Sequence, residues 1–330
     1  MIIIISKPGD DSANSVIEWL KYYNCEYIRL DLAKECYRNI NVSFKKSELE
    51  IVFKLKSGKV LDFNDISFFF YRSSLFEKKF KNLGSSILPK QDFKKHHSLE
   101  FQTLTNFLYE KISKLSIGLI AALPLNKLQQ LYLAQESGLS IPDTYIRSSR
   151  DEINDIGLEN TLVNKAMQEN IAFQYENEVY LQRVAKIDAQ TLQDNFFPSL
   201  FQTYITKTYE IRTFYLNGKF YSIAIYDPKQ PLLVDYRDGY KKHSYSPISL
   251  PVDIEDKLRL LMHKLNLISG SIDLVCDNNY YYFMEVNTQG QYDWVSEYGN
   301  YNLHQIIAKF LYEKEQNFKT SKGQDTISLP

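Results

Sequence analysis

A chain of 330 residues is too long for one small core and long enough for two or three packed layers. Hydrophobic residues make up 44 % of it and the formal net charge is -1. That balance suits a soluble globular protein and leaves no strong global field to recruit nucleic acid or an anionic membrane, so neither partner is expected. Three cysteines (Cys25, Cys36, Cys276) show no CxxC spacing, and their odd number argues against a disulfide framework. The expected compartment is therefore a reducing cytoplasm. The five histidines are scattered apart from adjacent His96-His97, so zinc is not expected.

The N-terminal Ile2–Ser6 run lacks a basic segment before it and is cut off by Lys7-Pro8-Gly9-Asp10, which reads as a buried strand, not a signal sequence. No stretch reaches the length of a membrane span. Ser12–Tyr23 carries Val16, Ile17, Leu20 and Tyr23 at helical spacing, and Cys25–Leu30 reads as the next strand. Phe44–Leu61 alternates like a hairpin turning at Lys56-Ser57-Gly58-Lys59, and Ile66–Tyr71 suits an inner strand. Gln91–Leu115 reads as a long helix with Leu104, Phe107, Leu108, Ile112 and Leu115 on one stripe. Asn126 caps a predicted helix that Gly138 stops, and Ser149-Arg150-Asp151-Glu152 is a capping-box pattern.

Thr161–Met167 and Glu178–Val184 read as strands, and from Leu200 the chain becomes strand-rich. Leu200–Ile205 precedes a hairpin of Tyr209–Leu216 and Phe220–Ile225 joined by Asn217-Gly218. Val252–Asn266 is an amphipathic helix, and Ser269–Cys276 with Tyr280–Asn287 forms a last hairpin. Asn302–Lys314 is a closing helix, and the polar tail after Gln316 is expected to be disordered.

The chemistry concentrates in that last hairpin. Asp273, Glu285 and Asn287 are all odd-numbered, so an even-sum register sends the three side chains to one face. Two carboxylates and an amide oxygen are hard ligands suited to Mg²⁺ that also takes phosphate oxygens. The alternative is a solvated polar face, but Glu285 and Asn287 sit within the apolar run Phe-Met-Glu-Val-Asn, where an unpaired charge costs several kcal/mol.

Asp273 with Glu285-Val286-Asn287 resembles the metal-binding signature of the ATP-grasp superfamily. Gly290-Gln291 and Ile306-Ile307-Ala308 resemble its peptide-maturing branch, the graspetide synthetases, which are related to a ligase that adds glutamates to a ribosomal protein. Asn126-Lys127-Leu128 with Ile141-Pro142-Asp143-Thr144, Leu162–Lys165, Phe201–Ile205 and Glu210-Ile211-Arg212 fall in the order of that branch. Asp10–Leu20 and Tyr71-Arg72 match more weakly. The resemblance implies an α/β (α+β) ATP-grasp fold. Its expected parts are an N-terminal α/β pre-ATP-grasp domain (1–115), a central subdomain (116–198), a C-terminal antiparallel-sheet subdomain (199–314) and a tail (315–330).

It also implies roles. Lys127 and Lys165 would meet nucleotide phosphates. Gln202, Tyr204 and Ile205 would border adenine, the last two through backbone groups. Glu210 would accept from ribose hydroxyls, while Arg212 and the loop residue Arg237 would stabilise the transferring phosphoryl group. Asp273, Glu285 and Asn287 would hold Mg²⁺ on ATP. On the residues alone, Lys127 reads as a solvated first-turn lysine, and Glu210 with Arg212 reads equally as a cross-strand ion pair.

The implied activity is acyl-phosphate chemistry that joins Asp or Glu to Ser, Thr or Lys side chains of a ribosomal precursor peptide with leader and core segments; a homodimer is expected. A ligase adding free amino acids, a non-catalytic ATP sensor and a redox Rossmann enzyme are the alternatives; the last lacks a GxGxxG after Ser6. Three departures stand out. Thr288 replaces a common proline, Ala166–Glu178 contains no glycine for a phosphate-covering lid, and Thr203 fills an often acidic hinge position. The N-terminal domain and Ile187–Ser199 are left without a catalytic task, so leader docking is expected there.

Overall fold

The computed structural model describes residues 1–31, 40–45, 48–55, 57–72, 90–118, 125–157, 161–167, 172–175, 178–181, 184–227 and 243–325. Arg237 with its loop, Cys36 and much of Ala166–Glu178 lie outside them. The chain divides into two units, residues 1–123 with 302–330, and residues 124–301.

In the first unit the four isoleucines of β1 (Ile2–Ile5) are all buried. A strand buried on both faces belongs in a parallel sheet, and β1 pairs in parallel with β2 (Tyr27–Leu30) on one side. Between them runs α1 (Asp11–Tyr22), whose N-cap Asp10 accepts from the Ala13 amide at 2.9 Å. The predicted hairpin is three strands, β3 (Ile40–Lys45), β4 (Glu48–Lys54) and β5 (Val60–Asp62), and Gly58 takes φ +84° at the second turn. Next, β6 (Phe68–Tyr71) pairs in parallel with the other side of β1.

Helix α2 (Lys90–Ser113) buries Thr105, Leu108, Tyr109 and Ile112, whereas Leu104, expected on the stripe, is exposed. Strand β7 (Ser116–Ile117) closes the order β2-β1-β6-β7. The closing helix, Leu303–Asp325, packs on α1 in this same unit and runs well past Lys314, which corrects the expectation of a disordered tail from residue 315. The reason is Glu315. It is buried, accepts from the Cys25 thiol at 2.9 Å and pairs with Lys319 at 2.9 Å, so the helix continues to bring Lys319 over it. Burial, with the Glu315 bond and charge added, pushes the Cys25 thiol up to about 12, which keeps it protonated and inert.

The second unit opens with α3 (Lys127–Glu136), capped by Asn126, whose side chain accepts from the Leu128 and Gln129 amides. Gly138 follows at φ +79°, the left-handed position that ends the helix. Strand β8 (Thr144–Ser149) leads into α4 (Arg150–Gly157), where Glu152 accepts from the Ser149 hydroxyl at 3.0 Å as the capping pattern suggests. Then come β9 (Leu162–Lys165), β10 (Ala172–Tyr175), β11 (Glu178–Leu181), β12 (Ala185–Lys186) and β13 (Asn195–Thr203). The order β12-β9-β13-β8 makes one antiparallel sheet over a small core of Ile153, Leu162 and Phe201.

Strands β14 (Tyr209–Leu216) and β15 (Lys219–Tyr226) meet at Asn217-Gly218, both with positive φ as the tight hairpin demands. With β16 (Ser244–Ile248), β17 (Ser269–Asp277) and β18 (Tyr280–Asn287) they form a five-stranded sheet in the order β16-β15-β14-β17-β18. Helix α5 (Val252–Lys264) places Met262 against Gly270, an even position of β17, and so covers the face opposite Asp273. Helix α6 (Asp293–Gly299) covers the β15–β16 end of the other face, with Trp294 and Tyr298 against Tyr245. The closing helix is α7.

Candidate active site

Pairing on β17 sets the site. Asp273 stands directly opposite Arg212 of β14 on one side and Glu285 of β18 on the other. Ser271 stands opposite Asn287, so this end of the hairpin has the even-sum register that puts Asp273, Glu285 and Asn287 on one face. The register shifts between Asp273 and Leu274, a bulge immediately beside the carboxylates, as is common next to active sites. Arg212, Asp273 and Glu285 thus form one row across three strands.

Each acid in the row has a cationic partner. The buried Arg212 guanidinium bonds Asp273 and lies 5.9 Å from the Trp294 ring centroid. Lys127, in the first turn of α3, reaches Glu285 at 2.9 Å and also donates to the Ala166 carbonyl at 3.3 Å. Asn287 donates its side-chain amide to Glu285 at 3.3 Å. Burial alone would raise the Glu285 carboxyl. The charge and hydrogen bond of Lys127, the charge of Lys165 and the Asn287 amide outweigh burial and hold the acid below its ordinary range.

Asp273 and Glu285 form part of the wall of a cleft of about 140 Å³, roughly ten times the space one water needs. Lys127, Lys165, Gln202–Ile205 and Glu210 share that wall. Arg212 and Asn287 stand behind it, each bonded to a carboxylate that belongs to it. The structure therefore brings together every expected site residue except Arg237, which is outside the described residues.

Two of these residues are engaged otherwise than their expected tasks suggest. The Gln202 side chain is buried and donates to the Thr144 hydroxyl at 3.0 Å, bracing β13 against β8. The Tyr204 N–H already donates to the Thr161 carbonyl at 2.7 Å, while Lys186 sits 4.2 Å from the centre of its ring. Lys207 was not expected at all: it is half-buried in the wall and pairs with Glu210. Its only sequence signal is a lysine three residues before a carboxylate at a strand entrance.

The donor set fits a magnesium ion. Two facing carboxylates and an amide oxygen fall short of an all-protein cage, and Mg²⁺ binds in that way, keeping further positions for water and phosphate oxygens.

No family profile matches this sequence, and no curated protein matches it. Solved structures do. A Chryseobacterium gregarium RiPP-associated ATP-grasp ligase in complex with ADP and a leader and core peptide matches with a TM-score of 0.75 at 22 % identity, over 95 % of this chain and 96 % of that one. The macrocyclase MdnC of Microcystis aeruginosa, bound with precursor peptide MdnA, matches with a TM-score of 0.71 at 20 % identity, over 94 % and 98 %. The ATP-grasp ligase PsnB with minimal precursor, Mg and ADP matches with a TM-score of 0.68 at 14 % identity, over 96 % and 98 %. At these identities the likeness establishes architecture, and the architecture is the ATP-grasp fold.

Proposed function

We propose that this chain is an ATP-dependent carboxylate ligase that joins Asp or Glu side chains to Ser, Thr or Lys side chains within a precursor peptide. The observation that carries the reading is the Arg212–Asp273–Glu285 row, flanked by Lys127 and Asn287, at a cleft that also takes in Lys165 and the Gln202–Ile205 connection. It is supported by the three similar folds, whose structures hold leader, core or precursor peptides and, in two of them, ADP.

In this reading Lys127 and Lys165 bind the β- and γ-phosphates as point charges. The backbone of Gln202–Ile205 borders adenine, with Tyr204 contributing through a group other than its committed N–H. Glu210 accepts from the ribose, sharing its charge with Lys207. Asp273, Glu285 and Asn287 would hold Mg²⁺, which when bound neutralises phosphate charge and orients the chain of phosphates. Arg212 fixes Asp273 and adds positive charge where the phosphoryl group transfers, and Arg237 would add a second guanidinium.

A substrate carboxylate attacks the γ-phosphorus, the bond to the β-phosphate oxygen breaks, and ADP leaves with that electron pair. A hydroxyl or amine of the same peptide then attacks the acyl carbon, expels phosphate and loses its proton, giving an ester or amide. Holding both groups on one peptide raises their effective concentration and favours closure over hydrolysis. We place the enzyme in the cytoplasm, where the free thiols Cys25 and Cys276 stay reduced, and expect a homodimer. A monomer mass by light scattering would remove the dimer from the account.

The acyl phosphate is the step to trap. With ATP, Mg²⁺ and a Ser/Thr/Asp/Glu-rich peptide encoded beside the gene, added hydroxylamine should convert a peptide carboxylate to a hydroxamate. ADP formation without any hydroxamate or crosslink would point to a bare ATPase or sensor.

A further inference from the structure

Strand β18 is the edge strand of its sheet, so alternate backbone groups face away from β17 and need partners elsewhere. Two donors on that outer side are met from the α3 region. Phe283 N–H donates to the Ser140 carbonyl at 2.8 Å, and Val286 N–H donates to the side-chain oxygen of Gln130 at 2.8 Å. Gln130 is buried, and its NH₂ group donates to the Leu125 carbonyl at 3.3 Å, so the amide is held at both ends. Val286 is the residue between Glu285 and Asn287. Lys127, one turn before Gln130 on the same helix, bonds Glu285 itself. Positions i and i+3 of α3 therefore grip two consecutive residues of the strand that carries both proposed ligands.

We propose that Gln130 is a positioning residue for the metal site. Its amide oxygen fixes the height and tilt of β18 against α3, so that the Glu285 carboxylate and the Asn287 amide oxygen are aimed together into the cleft. The neighbouring buried positions Leu131 and Ala134 show that this face of α3 otherwise packs with apolar side chains, so the glutamine is there for its hydrogen bonds. A glutamine that served helix stability alone would sit better on the exposed face, as Gln129 does. The inference rests on the magnesium reading of Asp273, Glu285 and Asn287.

The test separates the two claims by binding without turnover. ADP affinity is measured by calorimetry across a Mg²⁺ titration for the native chain, Gln130→Met and the surface control Gln129→Met. Methionine keeps the volume and removes the acceptor, leaving the Val286 N–H unpaired. Hydrogen exchange at the Val286 amide should quicken about tenfold or more in Q130M. The Mg²⁺ concentration for half-maximal tightening of ADP should rise about tenfold, the scale typical of lost support around a metal ligand. ADP binding without metal and the Q129M titration should match the native chain. Should Q130M not fold, Q130N keeps the amide but shortens its reach and makes the same prediction. A native chain whose ADP affinity ignores Mg²⁺ would overturn the magnesium reading; a native dependence that Q130M and Q130N leave unmoved would overturn the positioning role alone.

Discussion

Glu285 is tolerated ionised among apolar neighbours because Lys127, Lys165 and Asn287 together offset its burial, which is why its carboxyl lies below the ordinary range. The substitution Glu285→Gln keeps volume and deletes that charge. If Glu285 holds magnesium as proposed, turnover should fall by more than about a hundredfold while circular dichroism and melting stay near native, since a metal ligand matters more than the supporting groups whose loss costs ten- to a hundredfold. Near-native turnover would remove Glu285 from the metal site. In the proposed mechanism Lys165 and Arg212 divide the remaining work. Lys165→Ala should weaken ATP binding about tenfold with a smaller effect on kcat, whereas Arg212→Ala should lower kcat about a hundredfold, since its charge counts most as the phosphoryl group leaves. If both change only affinity, the division is wrong. Glu285 and Lys165 stood out in the sequence because charges inside apolar strands need a reason, whereas Arg212 read equally as half of a cross-strand ion pair. Lys207 did not stand out, because a lysine in a connecting segment is ordinarily solvated and only packing reveals that this one turns into the cleft wall to pair with Glu210.

The hairpin of β17 and β18 shows how far a pattern in sequence reaches at the scale of one element. Odd numbering of Asp273, Glu285 and Asn287 gave the shared face on condition of an even-sum register, and that register holds at their end of the hairpin. The bulge after Asp273 was not legible, since no residue type marks it. The turn beyond β18 is tight for a steric reason. A Cβ on Gly290 would overlap the Ser271 side chain, and the Gly290 N–H donates to the Asn287 carbonyl at 3.2 Å. Gly290→Ala must therefore push on the residues that aim Asn287. It should cost about 1–3 kcal/mol in denaturant unfolding and lower turnover more than Gln289→Ala beside it. Equal effects of the two would show that the turn tolerates the shift. Helix α7 taught the opposite lesson: its polar surface reads as a tail, and only the buried Glu315 beneath Lys319 explains why it stays helical.

For the whole molecule, the order of the family-like segments along the chain carried the ATP-grasp reading, and the architecture matches it. The division into units was less legible, because α7 returns to the N-terminal unit and nothing in its local sequence names its partner. Substrate recognition is the part least written in motifs. Within Ile187–Ser199, Phe197 is 81 % exposed on the outer half of β13, an apolar side chain suited to meeting a peptide. If leader docking is separate from chemistry, fused precursor should react faster than core alone, detached leader should restore part of that rate, and Phe197→Asp should erase the leader's effect while sparing the core rate. Equal rates for all three substrates would end the leader hypothesis and favour a ligase for free amino acids. The central claim itself rests on one measurement, the mass of the neighbouring precursor peptide after incubation with purified enzyme, ATP and Mg²⁺. The account predicts loss of one water per bond formed, dependent on both ATP and Mg²⁺ and absent with E285Q; an unchanged mass, or a gain equal to an added amino acid, would contradict it.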